Sequence, residues 1–227
     1  MKKSPFYKVN KDLFVTLLLS SCVSVALLLI RVFVTQSMHL VFLIWNLFLA
    51  WIPLFFAFWL KAKLKTNHKP SWKEYLLGCL WLIFLPNSFY IISDLIHLQS
   101  SGDVSLLYDT AMVMSFVING LLLGYISLYI VHKSVIKYLG SNGAFIFAQF
   151  AILLSGFAIY LGRYLRWNTW DIVFNPAGLV FDVSDRIINP GTHTFTFVVT
   201  GVFYIILGST YAVLFRLAEI LKITQKD

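Results

Sequence analysis

Charge is scarce in this chain. Only 12% of its 227 residues are charged, and Asp and Glu together number 10. A soluble domain of this length needs far more polar surface, so that class is excluded. Cysteine is scarcer still: Cys22 and Cys79 each stand alone in an apolar run. Their spacing suits neither a zinc site nor a disulfide framework, and both read as small buried hydrophobes. There is no H-E-x-x-H and no pair of histidines four apart. Asp94, His97 and His193 come nearest to a metal set, but zinc needs three or four converging ligands, so no metal and no other cofactor is expected. G-x-S-x-G is also missing, and no serine has an identifiable base, which leaves nucleophilic catalysis without a carrier. No short period recurs, so a repeat array is excluded.

Apolar residues are abundant: 59% of the chain is hydrophobic, 21 residues are Phe, and the mean hydropathy is +0.80. Six apolar runs, near 13–33, 38–60, 75–98, 106–131, 143–165 and 195–219, are long enough to cross a hydrocarbon core of about 30 Å as helices. The expected fold is an all-α integral membrane protein, a single transmembrane domain of about six helices over 1–227. Fourteen of the 18 Lys and Arg flank one side of these runs, namely the N-terminus, the second-to-third and fourth-to-fifth connections, and the C-terminus. Arg31, Arg163, Arg166 and Arg186 lie on the other side. Because cytoplasmic flanks carry the excess of basic residues, both termini are expected in the cytoplasm. The net charge of +8 therefore belongs against phospholipid head groups and not on nucleic acid. Leu19-Ser20-Ser21-Cys22 resembles a lipoprotein signal, but VSVALLLI continues the apolar run past it, so a retained first span is expected.

The longest segment between spans is 167–194, on the outer side. Asn175-Pro176 suits an N-cap followed by a first helical position, and a short amphipathic helix is expected near 176–188. Val180, Val183, Ser184 and Ile187 share one face of it, with Asp182, Asp185 and Arg186 on another.

Polar residues gather at the same outer boundary. The third span ends FLPNSFYIISDLIHL, and on a helix Asn87, Tyr90, Asp94 and His97 form one stripe. The fifth span ends GRYLRWNTWD, where Arg163, Arg166, Trp167 and Trp170 share a face. Tyr108 and Asp109 open the fourth span, with Asn119 at its middle and Asn46 on the second span. Asp94, Asp109 and Asp171 are thereby placed to meet Arg163 and Arg166. The inner halves look almost wholly apolar. Asn46 and Asn119 read as hydrogen-bonding links between helices, and Gly120 with Gly124 as close helix packing. Ionisable groups at membrane depth default to a functional hypothesis, with Asp94 or His97 as the acid or base.

The patterns LPN-x-x-Y-x-x-x-D-x-x-H at 85–97 and G-R-Y-x-R-W-N-x-W-D at 162–171, with IWNLFLAWIP and YDTAMV, resemble the bacterial membrane family catalogued as domain of unknown function 1361. The resemblance implies a small polytopic membrane protein and supplies no reaction. Asn87, Asp94, His97, Arg163, Arg166, Asn168 and Asp171 carry over as motif positions. Arginine forks suit phosphate or carboxylate. The leading expectation is thus a binder or enzyme for an anionic head group or small anion at the outer leaflet. Asn87, Tyr90, Asp109, Arg163, Arg166, Asn168 and Asp171 would hold the ligand. The partners expected are membrane lipids. A non-catalytic partner protein and a small proton-coupled transporter are the alternatives.

Overall fold

A computed structural model of the chain describes residues 5–64, 70–98 and 105–224. Lys2, Lys3, Lys65, Lys69 and Lys226, which the topology reading uses, lie outside them. Every regular element among the described residues is helical: α1 Pro5–Thr35, α2 Phe42–Leu64, α3 Trp72–Tyr90, a 3-10 helix η1 Ile91–His97, α4 Leu106–Tyr164, α5 Asp171–Phe174, α6 Pro176–Ile188 and α7 Thr194–Thr224. Five of these segments, counting α3 with η1 as one, are long and apolar enough to cross a membrane. The chain is an all-α membrane protein.

It falls into two compact units, Met1–Trp51 with Asn87–Gly124, and Ile52–Pro86 with Tyr125–Asp227. In the first, α1 turns Leu17, Ser21, Ser24, Leu28 and Arg31 inward, a spacing of four, three, four, three that keeps one seam facing its neighbours. Its opposite face, with Leu19, Val23, Ile30 and Phe33, is exposed and apolar. Where lipid replaces water outside the bundle, a polar seam inside and an apolar coat outside is the stable arrangement. Gly120 and Gly124 let α4 approach α3 as expected. A Cβ on Gly120 would stand 2.7 Å from the Ser88 carbonyl oxygen, and one on Gly124 2.7 Å from the Phe89 ring.

In the second unit, α3 starts with a capping box. The Glu74 carboxylate accepts from the Ser71 N–H at 2.8 Å and from the Ser71 hydroxyl, satisfying the orphan donor that a helix start leaves. The fourth and fifth spans, expected to be joined by a loop over 132–142, are one helical run broken at a single residue. Gly140 takes φ 69, ψ 173, a left-handed conformation that glycine adopts without steric cost. His132 and Phe145 would be about 20 Å apart along a straight helix, yet their ring centroids are 6.2 Å apart. The chain thus folds back at Gly140, and α4 comprises two antiparallel arms. Helical geometry persists past the apolar run, where 133–139 holds no Gly or Pro to break it and Lys133, Lys137 and Leu139 are good helix formers.

Two expectations about faces need correction. Cys22 and Cys79 are exposed, not buried. On α6, Val183 does not share the outward face of Val180 and Ile187. With Leu179 it packs onto Tyr160, Leu161 and Val199. The charged side also turns inward. Arg186 is buried, its guanidinium 5.9 Å from the Tyr160 ring centroid, with Nη1 donating to the Asp182 carbonyl at 2.6 Å. Val180, Phe181, Ile187 and Ile188 are exposed. The bond within the helix and the ring beneath compensate the buried charge, which lets the apolar side face outward.

Candidate functional site

The polar residues of the first unit collect where α1 ends, α2 begins, η1 closes and α4 opens. The centre is an ion pair. Arg31, 4% exposed, donates from Nε to Asp109 Oδ1 at 2.8 Å and from Nη2 to Oδ2 at 3.0 Å. This bidentate fork fixes the guanidinium plane as well as its charge. Beside it the Tyr108 hydroxyl donates to the Leu27 carbonyl at 2.7 Å, tying the start of α4 to α1. Deeper in the unit, Asn119 Nδ2 donates to Ser24 Oγ at 3.0 Å, and Trp51 Nε1 donates to Ser21 Oγ at 3.2 Å. Asn119 is therefore an interhelical link, as its sequence context suggests. Asn46 is also a link, with a specific partner: its Nδ2 donates to Asp94 Oδ2 at 2.8 Å.

Asp94 is 1% exposed, and its backbone is not α-helical. The α-helix runs through Pro86 and ends at Tyr90, and the last seven residues wind as 3-10. The Ser93 hydroxyl donates to the Tyr90 carbonyl at 2.6 Å, supporting the tighter winding common at helix C-termini. Three residues per turn align Ile91, Asp94 and His97, so the stripe expected over Asn87, Tyr90, Asp94 and His97 divides into two rows. Half-buried Asn87 and Tyr90 stay on α3. His97 lies against Phe42, with ring centroids 5.1 Å apart, and His39, 6.5 Å away.

The remaining expected site residues belong to the second unit. Half-buried Arg163 sits in the last turn of α4. Arg166 is exposed and left-handed, φ 62, which lets the Trp167 N–H reach the Leu161 carbonyl at 3.2 Å and closes the helix as a C-cap does. Asn168 and Asp171 form a local turn: Asp171 Oδ2 accepts from the Asn168 N–H at 2.6 Å, and Asn168 Nδ2 donates to the Arg166 carbonyl at 3.4 Å. Trp167 Nε1 donates to Asp182 Oδ2 at 2.7 Å, docking α6 on this turn. Asp185 holds the far end of α6, accepting from Asn189 Nδ2 at 2.7 Å and lying 2.7 Å from His193 Nε2. The Asn189 amide and then the His193 ring hold the Asp185 carboxyl below the usual carboxylate range.

Arg31, which is not among the partners expected for Asp109, takes both of its oxygens. His193, considered with Asp94 as a metal ligand, pairs with Asp185. Among the described residues no three His, Cys, Asp or Glu converge on a metal position. Another polar group lies just past the expected end of the fourth span. His132 is fully buried, its Nδ1 2.6 Å from the Tyr211 hydroxyl and its ring stacked 4.5 Å from Phe215, while Lys133 pairs with Glu219 at 2.7 Å.

Residues 45–207 match the family model described as Protein of unknown function (DUF1361). Neither the curated proteins nor the solved structures yield a match. The matched range holds Asn46, Asp94, Asp109, Arg163 and Arg166 but leaves Arg31 outside. Covering well over half of the chain, it shows that this membrane protein belongs to the DUF1361 family.

Proposed function

We propose that the first unit binds an anionic group, phosphate or carboxylate, presented at the outer boundary by a lipid head group or a small anion. One observation carries this reading. Arg31 spends Nε and Nη2 on Asp109, while Nη1 is buried without a hydrogen-bond partner. A buried donor left unpaired costs about 1–3 kcal/mol, and more when charged. A ligand oxyanion on Nη1 recovers that cost on a guanidinium already held in plane by Asp109. Asp94 and His97, aligned on η1, are the groups to exchange a proton with a bound ligand. Asn87 and Tyr90 are proposed as flanking contacts. Arg163 and Arg166 of the second unit are proposed to meet head-group phosphate on their own account. Asn168 and Asp171 act by shaping their turn.

A second reading has its own support. Asp109 is neutralised by Arg31, and Asp94 is bonded to Asn46, as in a purely structural cluster of a non-catalytic partner protein. Native mass spectrometry separates the two. Wild-type protein from nanodiscs containing phosphatidylglycerol, or incubated with inorganic phosphate, is expected to retain one anion per chain more than Arg31→Gln does, the two arms telling lipid from free anion. Arg31→Gln should lose it. Equal retention by wild type and variant would leave the structural reading.

A further inference from the structure

The second unit encloses a cleft of about 330 Å³ between the end of α2, the start of α3 and the two arms of α4, at the lower end of small-molecule site sizes. Leu64, Tyr75, Cys79, Leu139 and Phe147 are among the side chains facing it. Among the described residues of the lining Glu74 alone carries a formal charge, and Ser71 engages it through the capping box. The walls therefore offer little to a polar ligand. The helix ends differ. Lys63 lies in the last turn of α2. Lys73 sits beside Trp72, 5.8 Å from the ring centroid. Lys137 stands 4.7 Å from the Tyr138 ring centroid and donates to the Leu64 carbonyl. An apolar slot on helix ends that carry lysines is complementary to a lipid with an anionic head.

We propose that this cleft takes one acyl chain of an anionic phospholipid, its phosphate resting among these lysines. The site is separate from the anion contact proposed at Arg31. Gly78 supplies an independent argument. A helix-interior glycine is disfavoured relative to alanine, and usually a close neighbour explains it, as at Gly120. At Gly78 an added Cβ would meet nothing within 4 Å. The missing side chain leaves room in the cleft instead of relieving a contact.

The test uses full-length protein carrying Cys22→Ser, so that Cys79 is the sole thiol, in nanodiscs of phosphatidylcholine alone or mixed with phosphatidylglycerol. Native mass spectrometry is expected to find a second phosphatidylglycerol retained per chain, beyond the one proposed at Arg31 and still present in Arg31→Gln, with maleimide labelling of Cys79 slowed in the mixed discs. Gly78→Leu fills the cleft and should lower retention roughly tenfold at an unchanged melting temperature. Lys63→Gln with Lys73→Gln keeps the cleft and should cut the preference for phosphatidylglycerol roughly tenfold. This pair decides the matter should Gly78→Leu fail to fold. Equal retention of both lipids by wild type would overturn the proposal, as would undiminished retention by a folded Gly78→Leu. So would a dimer that shields Cys79 without lipid, since a second copy would then be the occupant.

Discussion

Arg31 shows what a single buried charge demands of its surroundings. Removing one partner of a buried pair typically costs about 3–5 kcal/mol, because the other charge is left without compensation. Arg31→Gln and Asp109→Asn should each lower the melting temperature markedly, and the exchange Arg31→Asp with Asp109→Arg should recover part of the loss in thermal melts. If either single change leaves stability unaltered, the pair is not buried as described. Gly120 works by the opposite rule, since its contact is with backbone. Gly120→Val should cost about 1–3 kcal/mol through overpacking, measurable by the same melts. The importance of Arg31 was legible in the sequence, through a signal easily passed over. Ser21, Ser24 and Arg31 interrupt the first apolar run at spacings of three and seven, which places them on one helical seam. Asn119 was read correctly because a mid-membrane amide has few alternatives to an interhelical bond. The pairing of Asp109 was not legible: charge complementarity admits any arginine at the same depth, and only packing selects one.

At the scale of elements, composition fixed which segments are helical better than how they end. The bounds of α6 follow from Asn175-Pro176, with Asn175 Oδ1 accepting from the Gly178 N–H at 3.2 Å. Its orientation did not follow, because α6 is apolar on two sides, with Leu179 and Val183 packed inward and Val180, Phe181, Ile187 and Ile188 exposed. The 3-10 ending of α3 also escaped, since its residues keep the apolar pattern of an α-helix. The Asp185 contacts give α6 a pH signature. A carboxyl held below its ordinary range contributes stability above the unfolded-state value of about 3.9, and that contribution is lost as pH falls through the lower folded-state value. Hydrogen exchange over 182–193, expressed relative to the intrinsic rate at each pH, should therefore quicken below about pH 4 in wild type. In Asp185→Asn it should already be raised at neutral pH and change little on acidification. Acid-insensitive exchange in wild type would show that the Asn189 and His193 contacts do not hold this end.

For the whole molecule, the reversal at Gly140 gives the topology a compact test. The arm 141–164 is 24 residues long, about 36 Å of helix, enough to cross a core of about 30 Å. Cysteines placed singly at Ser141 and Gly191, in protein lacking Cys22 and Cys79, should label from opposite faces, with Gly191 accessible from outside intact cells. Labelling of both from one face would contradict the crossing, and labelling of Ser141 alone from outside would invert the orientation that the lysines imply. The most direct test of anion recognition is the thermal unfolding of wild type and Arg31→Gln in detergent with increasing glycerol 3-phosphate, since a ligand that binds only the folded state raises its stability by mass action. The expected result is a concentration-dependent rise for wild type and none for Arg31→Gln; an equal rise in both proteins, or none in either, would contradict the assignment of Arg31 as the anion anchor.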